Sequence, residues 1–271
     1  MNSSHDILGV RVDDIPDAEL EQRLNDMLVS ARANIVVTPN AEFILSARDD
    51  AEFRGILKSA DLSLPDGVSI KYAVAALTDD EALIHRHTGV DTLQLLARLS
   101  AESGKRMLIL GGTGKDPEIV GGEFKKLYPT LDIVALDPGI IDDEVPRLSE
   151  AVASRVKSLE PVIIAVALGQ GRGRRQGKQE RVMAFLAEEI STARILIGVG
   201  GAIRTLAHPS LIPPLAWRKR GVESLWRLIK QPWRSPRIFR AVIVFPAVVV
   251  WECIGRRRLL KAAKRVYSEL F

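Results

Sequence analysis

Along the first 200 residues, short continuous apolar runs alternate with longer stretches in which apolar residues recur every three or four positions. The runs at 35–37, 107–110, 162–168 and 195–199 are rich in Ile, Val and Leu and read as strands buried on both faces. Weaker strands are expected at 8–12, 62–64 and near 132–136. The stretch 17–31 carries Leu20, Leu24, Met27 and Leu28 on one helical face. Further helices are expected at 41–48, 51–59, 117–127, 143–158 and 179–190, and from a Thr88 cap to about Ser103. Strands alternating with helices of this length predict an α/β fold: a doubly wound, largely parallel, Rossmann-like sheet covered on both faces. Such sheets bind ligands beyond the C-terminal ends of their strands.

After Gly201 the pattern changes, and the chain divides into an α/β core (1–208) and a helical, basic C-terminal appendage (209–271). Proline-rich 209–214 reads as a linker, and 223–229 as a short amphipathic helix. An apolar run of 14 residues, 241–254, contains Pro246; Arg234, Arg237 and Arg240 precede it and Arg256, Arg257 and Arg258 follow. A bilayer-spanning helix needs about 20 apolar residues. The run better fits an interfacial segment lying on a membrane, with a helix packed on the body as the alternative. Charge supports this. From Trp217 to Phe271 there are 14 Lys and Arg against 3 Glu, a net of +11, and the rest of the chain carries −7. A cationic tail on an acidic body suits a polyanionic partner. Apolar runs interleave the basic residues, and no RNP-like aromatic motif is present, so an anionic membrane surface is preferred over nucleic acid. One cysteine, Cys253, excludes an intramolecular disulfide and a cysteine-based zinc site. The N-terminus carries no signal-peptide pattern.

Three motifs fail on inspection. GGTGKD (111–116) lacks the leading glycine and final Ser/Thr of a phosphate-binding loop. GVGGAI (198–203) lacks the third glycine of a dinucleotide fingerprint. HRHTG (85–89) sets two histidines at i, i+2 with no neighbouring carboxylate, which is too little for a metal site. What remains is a set of polar and glycine residues at predicted strand ends: Thr38 and Asn40; Asp66 in a Pro-Asp-Gly turn; Gly111 and Gly112; Gln179 and Glu180; Gly200 and Gly201. Each alone could be a turn residue or helix cap, and Asp66 could cap a helix starting near Ser69. A parallel sheet would bring them all to one rim.

The order TPN (38–40), LPDG (64–67), the arginine of HRHTGVD, LILGG (108–112), KQE (178–180), GVGGA (198–202) and GVESLWRLIKQPWR (221–234) resembles the WecG/TagA/CpsF glycosyltransferases. The resemblance runs from about residue 8 to 240. It implies an inverting enzyme that moves an N-acetylmannosamine-type or related hexose from a UDP-sugar to a polyprenyl-diphosphate-linked saccharide in cell-surface polysaccharide synthesis. Asp66 matches the general base, and Arg86 the pocket arginine. Arg227, Arg234 and Arg237 match a closing segment that would grip the leaving diphosphate. Thr38, Asn40 and Gln179 match positions that hydrogen-bond the donor. It also implies a peripheral location on the cytoplasmic face of the membrane. With no Asp-x-Asp motif, neither an obligatory metal nor another cofactor is expected. The resemblance is imperfect. A basic, glycine-rich insertion follows Gly169, Arg204 replaces an aspartate, and Pro138-Gly139-Ile140 replaces an aromatic segment, which leaves the donor sugar open. The other readings are a non-catalytic sugar-nucleotide-binding or assembly subunit at the membrane and, less favoured, a nucleic-acid-binding protein that uses the cationic tail; a homo-oligomer is left open.

Overall fold

The computed structural model describes residues 3–79, 82–169, 171, 176–214, 217, 223–232 and 235–270. Six parallel strands form the expected sheet: β3 (Asn34–Val37), β4 (Leu62–Ser63), β5 (Met107–Gly111), β6 (Ile133–Leu136), β7 (Ile163–Ala167) and β8 (Ile195–Gly198), in the order β4-β3-β8-β7-β5-β6. Helices cover both faces. Met107, Ile109, Ile163, Ala165, Ile195 and Ile197 face one core with α1 (Asp17–Leu28), α5 (Gly89–Ser103) and α6 (Asp116–Leu127). Their alternates Leu108, Leu110, Ile164, Val166 and Leu196 face the other. That second core holds α2 (Ala41–Asp49), α3 (Ala51–Ser59), α4 (Val68–Leu77), α7 (Glu150–Leu159) and α8 (Lys178–Glu189). The period-2 alternation between two buried faces is why these strands read as unbroken apolar runs.

Three expectations are corrected. The predicted strand 8–12 is a hairpin, β1 (Ser3–Ile7) antiparallel to β2 (Val10–Asp14), with Leu8 and Gly9 as its turn. Both turn residues have positive φ, 54° and 88°. That geometry matches the twist of the strands but is unusual for leucine. Asp6 Oδ1 accepts the Gly9 N–H at 2.9 Å and supports it. The helix predicted at 143–158 begins only at Glu150, capped by Ser149, and 137–149 is irregular around Pro138 and Pro146. The apolar run 241–254 is the larger part of one 21-residue helix, Ser235–Gly255. Its backbone widens into a π turn at Arg240–Val244, just before Pro246, which has no N–H to donate.

The C-terminal helices dock on the body. We number Glu223–Lys230 as α10, Ser235–Gly255 as α11 and Leu259–Leu270 as α12, after the short α9 (Ala202–Ala207). Phe245, Val249 and Cys253 form a stripe at four-residue spacing buried in the second core beside α4. Arg258 donates to the last carbonyl of α4, Leu77 O, at 2.7 Å, and Lys71 of α4 pairs with Glu269 of α12 at 2.7 Å. The opposite side of α11 is apolar and exposed at Val242, Ile243, Val250, Trp251 and Ile254. The packed alternative thus holds for one face of this helix, and the other face is left apolar and exposed. By length and composition it could cross a membrane, with mean hydropathy 2.0 over its best 18 residues, but one stripe belongs to the protein core.

Candidate active site

Two cavities open beyond the C-terminal ends of the strands. The first, about 380 Å³, is lined by Thr38, Asn40, Asp66, Arg86 and Gln179. The second, about 490 Å³, is lined by Gly112, Thr113, Lys178, Arg204 and Gln231. Gly169, Gly200, Gly201 and Arg237 line both, so the two lobes share a wall.

The first lobe is built by β3, β4 and the segment before α5. Beyond the last residues of β3 and β4 the chains stay bonded: Leu64 N–H donates to Val37 O at 2.8 Å and Asp66 N–H to Pro39 O at 2.9 Å. This carries the ladder out to the turn and sets Asp66, half-buried, beside Asn40 on one rim. The N-cap of α4 is Gly67, at φ 104°, with no side-chain cap bond, so the structure does not support Asp66 as the cap. Asn40 is a cap: its Oδ1 accepts the Glu42 and Phe43 amides at 2.9 and 3.2 Å, and its Nδ2 hydrogens are what it can offer a ligand. Thr38 Oγ1 donates to Gly198 O at 3.1 Å and ties the end of β3 to that of β8. Arg86 enters from the extended segment before the Thr88–Asp91 capping box of α5.

Gln179 lines the first lobe as its sequence position suggests, but Glu180 serves a different purpose. Gln179 is buried; its Oε1 accepts Gly200 N–H at 2.9 Å and its Nε2 donates to Glu180 Oε1 at 2.8 Å. The Oε1 bond braces the Gly198–Gly200 turn, and the Nε2 bond ties Gln179 to Glu180. A Cβ at Gly198 would lie 2.3 Å from Gln179 Nε2, so this packing demands glycine. Glu180 is 0% exposed and lines neither cavity, which corrects its assignment to ligand binding. Burial pushes its carboxyl up to about 7, only partly offset by Gln179 and Arg181. The folded protein thus holds this proton more tightly than the unfolded chain. The resulting stability is complete below the ordinary carboxylate range and is lost as pH rises through about 7. Glu180→Gln is therefore expected to melt progressively higher than wild type between pH 5 and pH 8, by a difference on the order of 3 kcal/mol. A difference in Tm that stays flat with pH would show that Glu180 keeps one protonation state.

The second lobe supplies cations that sequence reasoning did not single out as a set. Lys178 Nζ pairs with Asp143 at 2.8 Å, and Arg204 stands on α9. Arg237, in the first turn of α11, reaches both lobes and lies 3.8 Å from Glu42. Gly112 is the glycine of its pair that touches the cavity, at φ 112°, with its missing Cβ 2.5 Å from Pro117 Cγ. Gly111 lines neither lobe and is needed because a Cβ there would strike Leu168. The side chain of Arg227, and all of Arg234, lie outside the described residues, as does most of the basic insertion after Gly169. His85 and His87 do have carboxylates nearby, contrary to the reading of their local sequence: Asp14 at 2.7 Å and Asp17 at 3.7 Å. No group of three or more His, Cys, Asp or Glu among the described residues is disposed to hold a metal ion.

The first lobe thus offers Asp66 and Arg86, with Glu42, Asp91 and Arg237 also on its lining, and the second offers Lys178, Arg204 and Arg237, with Asp143, around a glycine-lined wall. The first suits deprotonation of a hydroxyl, and the second suits a diphosphate. A family model described as Glycosyl transferase WecG/TagA/CpsF family matches residues 5–259. The chain belongs to the WecG/TagA/CpsF family of glycosyl transferases. That match includes α10, α11 and the 137–149 loop as well as the sheet, so the cavities, their rim and the docked helix all lie within the transferase family's own span. Membership makes the chain a glycosyltransferase of cell-surface polysaccharide synthesis.

Proposed function

We propose that this glycosyltransferase moves a hexose of N-acetylmannosamine type, or a relative, from a UDP-sugar to a polyprenyl-diphosphate-linked saccharide with inversion. The observation that carries the reading is the placement of Asp66 and Arg86 in one lobe that shares the Gly200–Gly201 wall and Arg237 with a cation-lined second lobe. Nucleotide diphosphate occupies the larger lobe, near Lys178, Arg204 and Arg237. The sugar reaches across the shared wall, so that C1 faces Asp66. The acceptor hydroxyl attacks C1 and its proton passes to the Asp66 carboxylate. The C1–O bond breaks, and its electron pair leaves on the β-phosphate oxygen of UDP. Guanidinium forks of Arg86 and Arg237 neutralise the charge that develops there. Arg227 and Arg234 are assigned to the same closing segment by family resemblance alone.

The exposed apolar side of α11, rimmed by Arg240, Arg256 and Arg257, supports a peripheral seat on an anionic membrane. A lipid-linked acceptor is held at such a surface, and Arg237 begins the helix that would lie on it. Purified protein, anionic vesicles and a short lipid-diphosphate saccharide, offered a panel of UDP-sugars, test the reading. UDP should be released only when donor and lipid acceptor are both present, and the product should carry the anomer opposite to the donor. Failure of every donor to release UDP would favour a non-catalytic assembly subunit instead.

A further inference from the structure

The β1–β2 hairpin stands outside the six-stranded sheet, yet Asp13 and Asp14 at its end, with Ile15 just after, hold the two chain segments that bring Asp66 and Arg86 to the first lobe. β4 is an edge strand, and Ser63 N–H points away from β3. It donates to Asp13 Oδ2 at 2.8 Å, and the carboxylate is itself paired to Arg11 at 3.1 Å. Asp66 lies three residues further on. Neighbouring strand residues face opposite ways, and Asp14 turns instead to the segment before α5. Its two oxygens accept Ile84 N–H at 2.9 Å, His85 N–H at 2.8 Å and the His85 ring Nδ1–H at 2.7 Å. Arg86 is the next residue. His87 Nε2–H then donates to Ile15 O at 2.7 Å. His85 and His87 are thus pinned to the end of β2 on one side of an extended segment, and Arg86 between them lines the cavity on the other.

Burial alone would raise the Asp14 carboxyl, but the two amides and the His85 ring outweigh it and hold it below the ordinary range. It therefore stays charged as a three-donor acceptor with only 3% of its side chain exposed. Neither Asp13 nor Asp14 lines either lobe. We propose that Asp13 and Asp14 are positioning residues that set the separation of Asp66 and Arg86, by clamping the strand that leads to one and the segment that holds the other. The inference rests on the reading of Asp66 and Arg86 as the reacting pair.

A kinetic double-mutant cycle tests it, with the full chain, a UDP-sugar and the lipid acceptor. Asp14→Asn keeps one acceptor oxygen where three donors converge, and should lower kcat about 10- to 100-fold, the cost of a small misplacement of a catalytic group. In an Arg86→Lys background the same change should cost less than about twofold, because the group it positions is already impaired. Asp13→Ala should behave likewise against Asp66→Glu. If Asp14→Asn does not fold, the ring of His85 decides: His85→Ala should lose activity, and His85→Asn, whose Nδ2–H can replace Nδ1–H, should recover it. Equal losses in both backgrounds, or His85→Asn as poor as His85→Ala, would overturn the proposal while the active-site reading stood. Full activity in Asp66→Asn and Arg86→Ala would remove the active-site reading and this inference together.

Discussion

Asp66→Asn is expected to lower kcat by roughly 10²–10⁴-fold, the usual contribution of a positioned general base. Binding of UDP and the melting temperature should remain close to wild type. The substitution conserves shape, the side chain is half-buried at the cavity rim, and the helix that follows takes its N-cap from Gly67. The backbone bond that locates the turn, Asp66 N–H to Pro39 O, does not involve the side chain. The loss should therefore fall on turnover. Measuring kcat, UDP affinity and Tm on one preparation separates a missing base from a damaged pocket. A variant with near-normal turnover would remove Asp66 from the chemistry.

Two substitutions six residues apart on α11 are expected to fail in unlike ways. Phe245 is 1% exposed in the core beside α4, and Phe245→Ala should cost about 3–5 kcal/mol through lost burial and the cavity left behind. For a protein of this size that is a fall in Tm of roughly 6–15 °C. Trp251 is 75% exposed on the other side, and Trp251→Glu should leave Tm within about 1–2 °C. It should instead abolish co-flotation with anionic vesicles, because it puts a carboxylate in the middle of the apolar face. The outcome to watch is a Trp251→Glu protein that still floats, which would break the link between this face and the membrane.

The sheet was legible where physics is local. Runs such as Met107–Gly111 and Ile163–Ala167 are buried on both faces and therefore apolar at every position. Asp66 was legible because Pro-Asp-Gly announces a turn and the family motif gives it meaning. The hairpin was not, because Ser3–Ile7 is largely polar and Leu8-Gly9 is not a favoured turn pair. The carboxylates beside His85 and His87, Asp14 and Asp17, come from about 70 positions earlier, which no local pattern reveals. Gln179 and Glu180 carry the family motif, and only the fold shows that Gln179 lines the first lobe while bracing Gly200, and that Glu180 is buried behind that wall. The length of α11 was underestimated because its first turn, Ser235-Pro236-Arg237, is polar and reads as a flank to the apolar run.

β8 is the last strand in the chain but sits between β3 and β7 in the sheet. Without it, β4-β3 and β7-β5-β6 share no ladder, and the Thr38–Gly198 bond that joins the rims spans 160 residues of chain. Contacts so distant form late, since long loops must close before anything rewards their closure. During synthesis the first 190 residues can make two partial sheets but no seam. A ribosome stalled short of Gly198 would thus hold a chain with most of its helices and neither lobe, so the cavity rim is among the last parts of the fold that the emerging chain can complete.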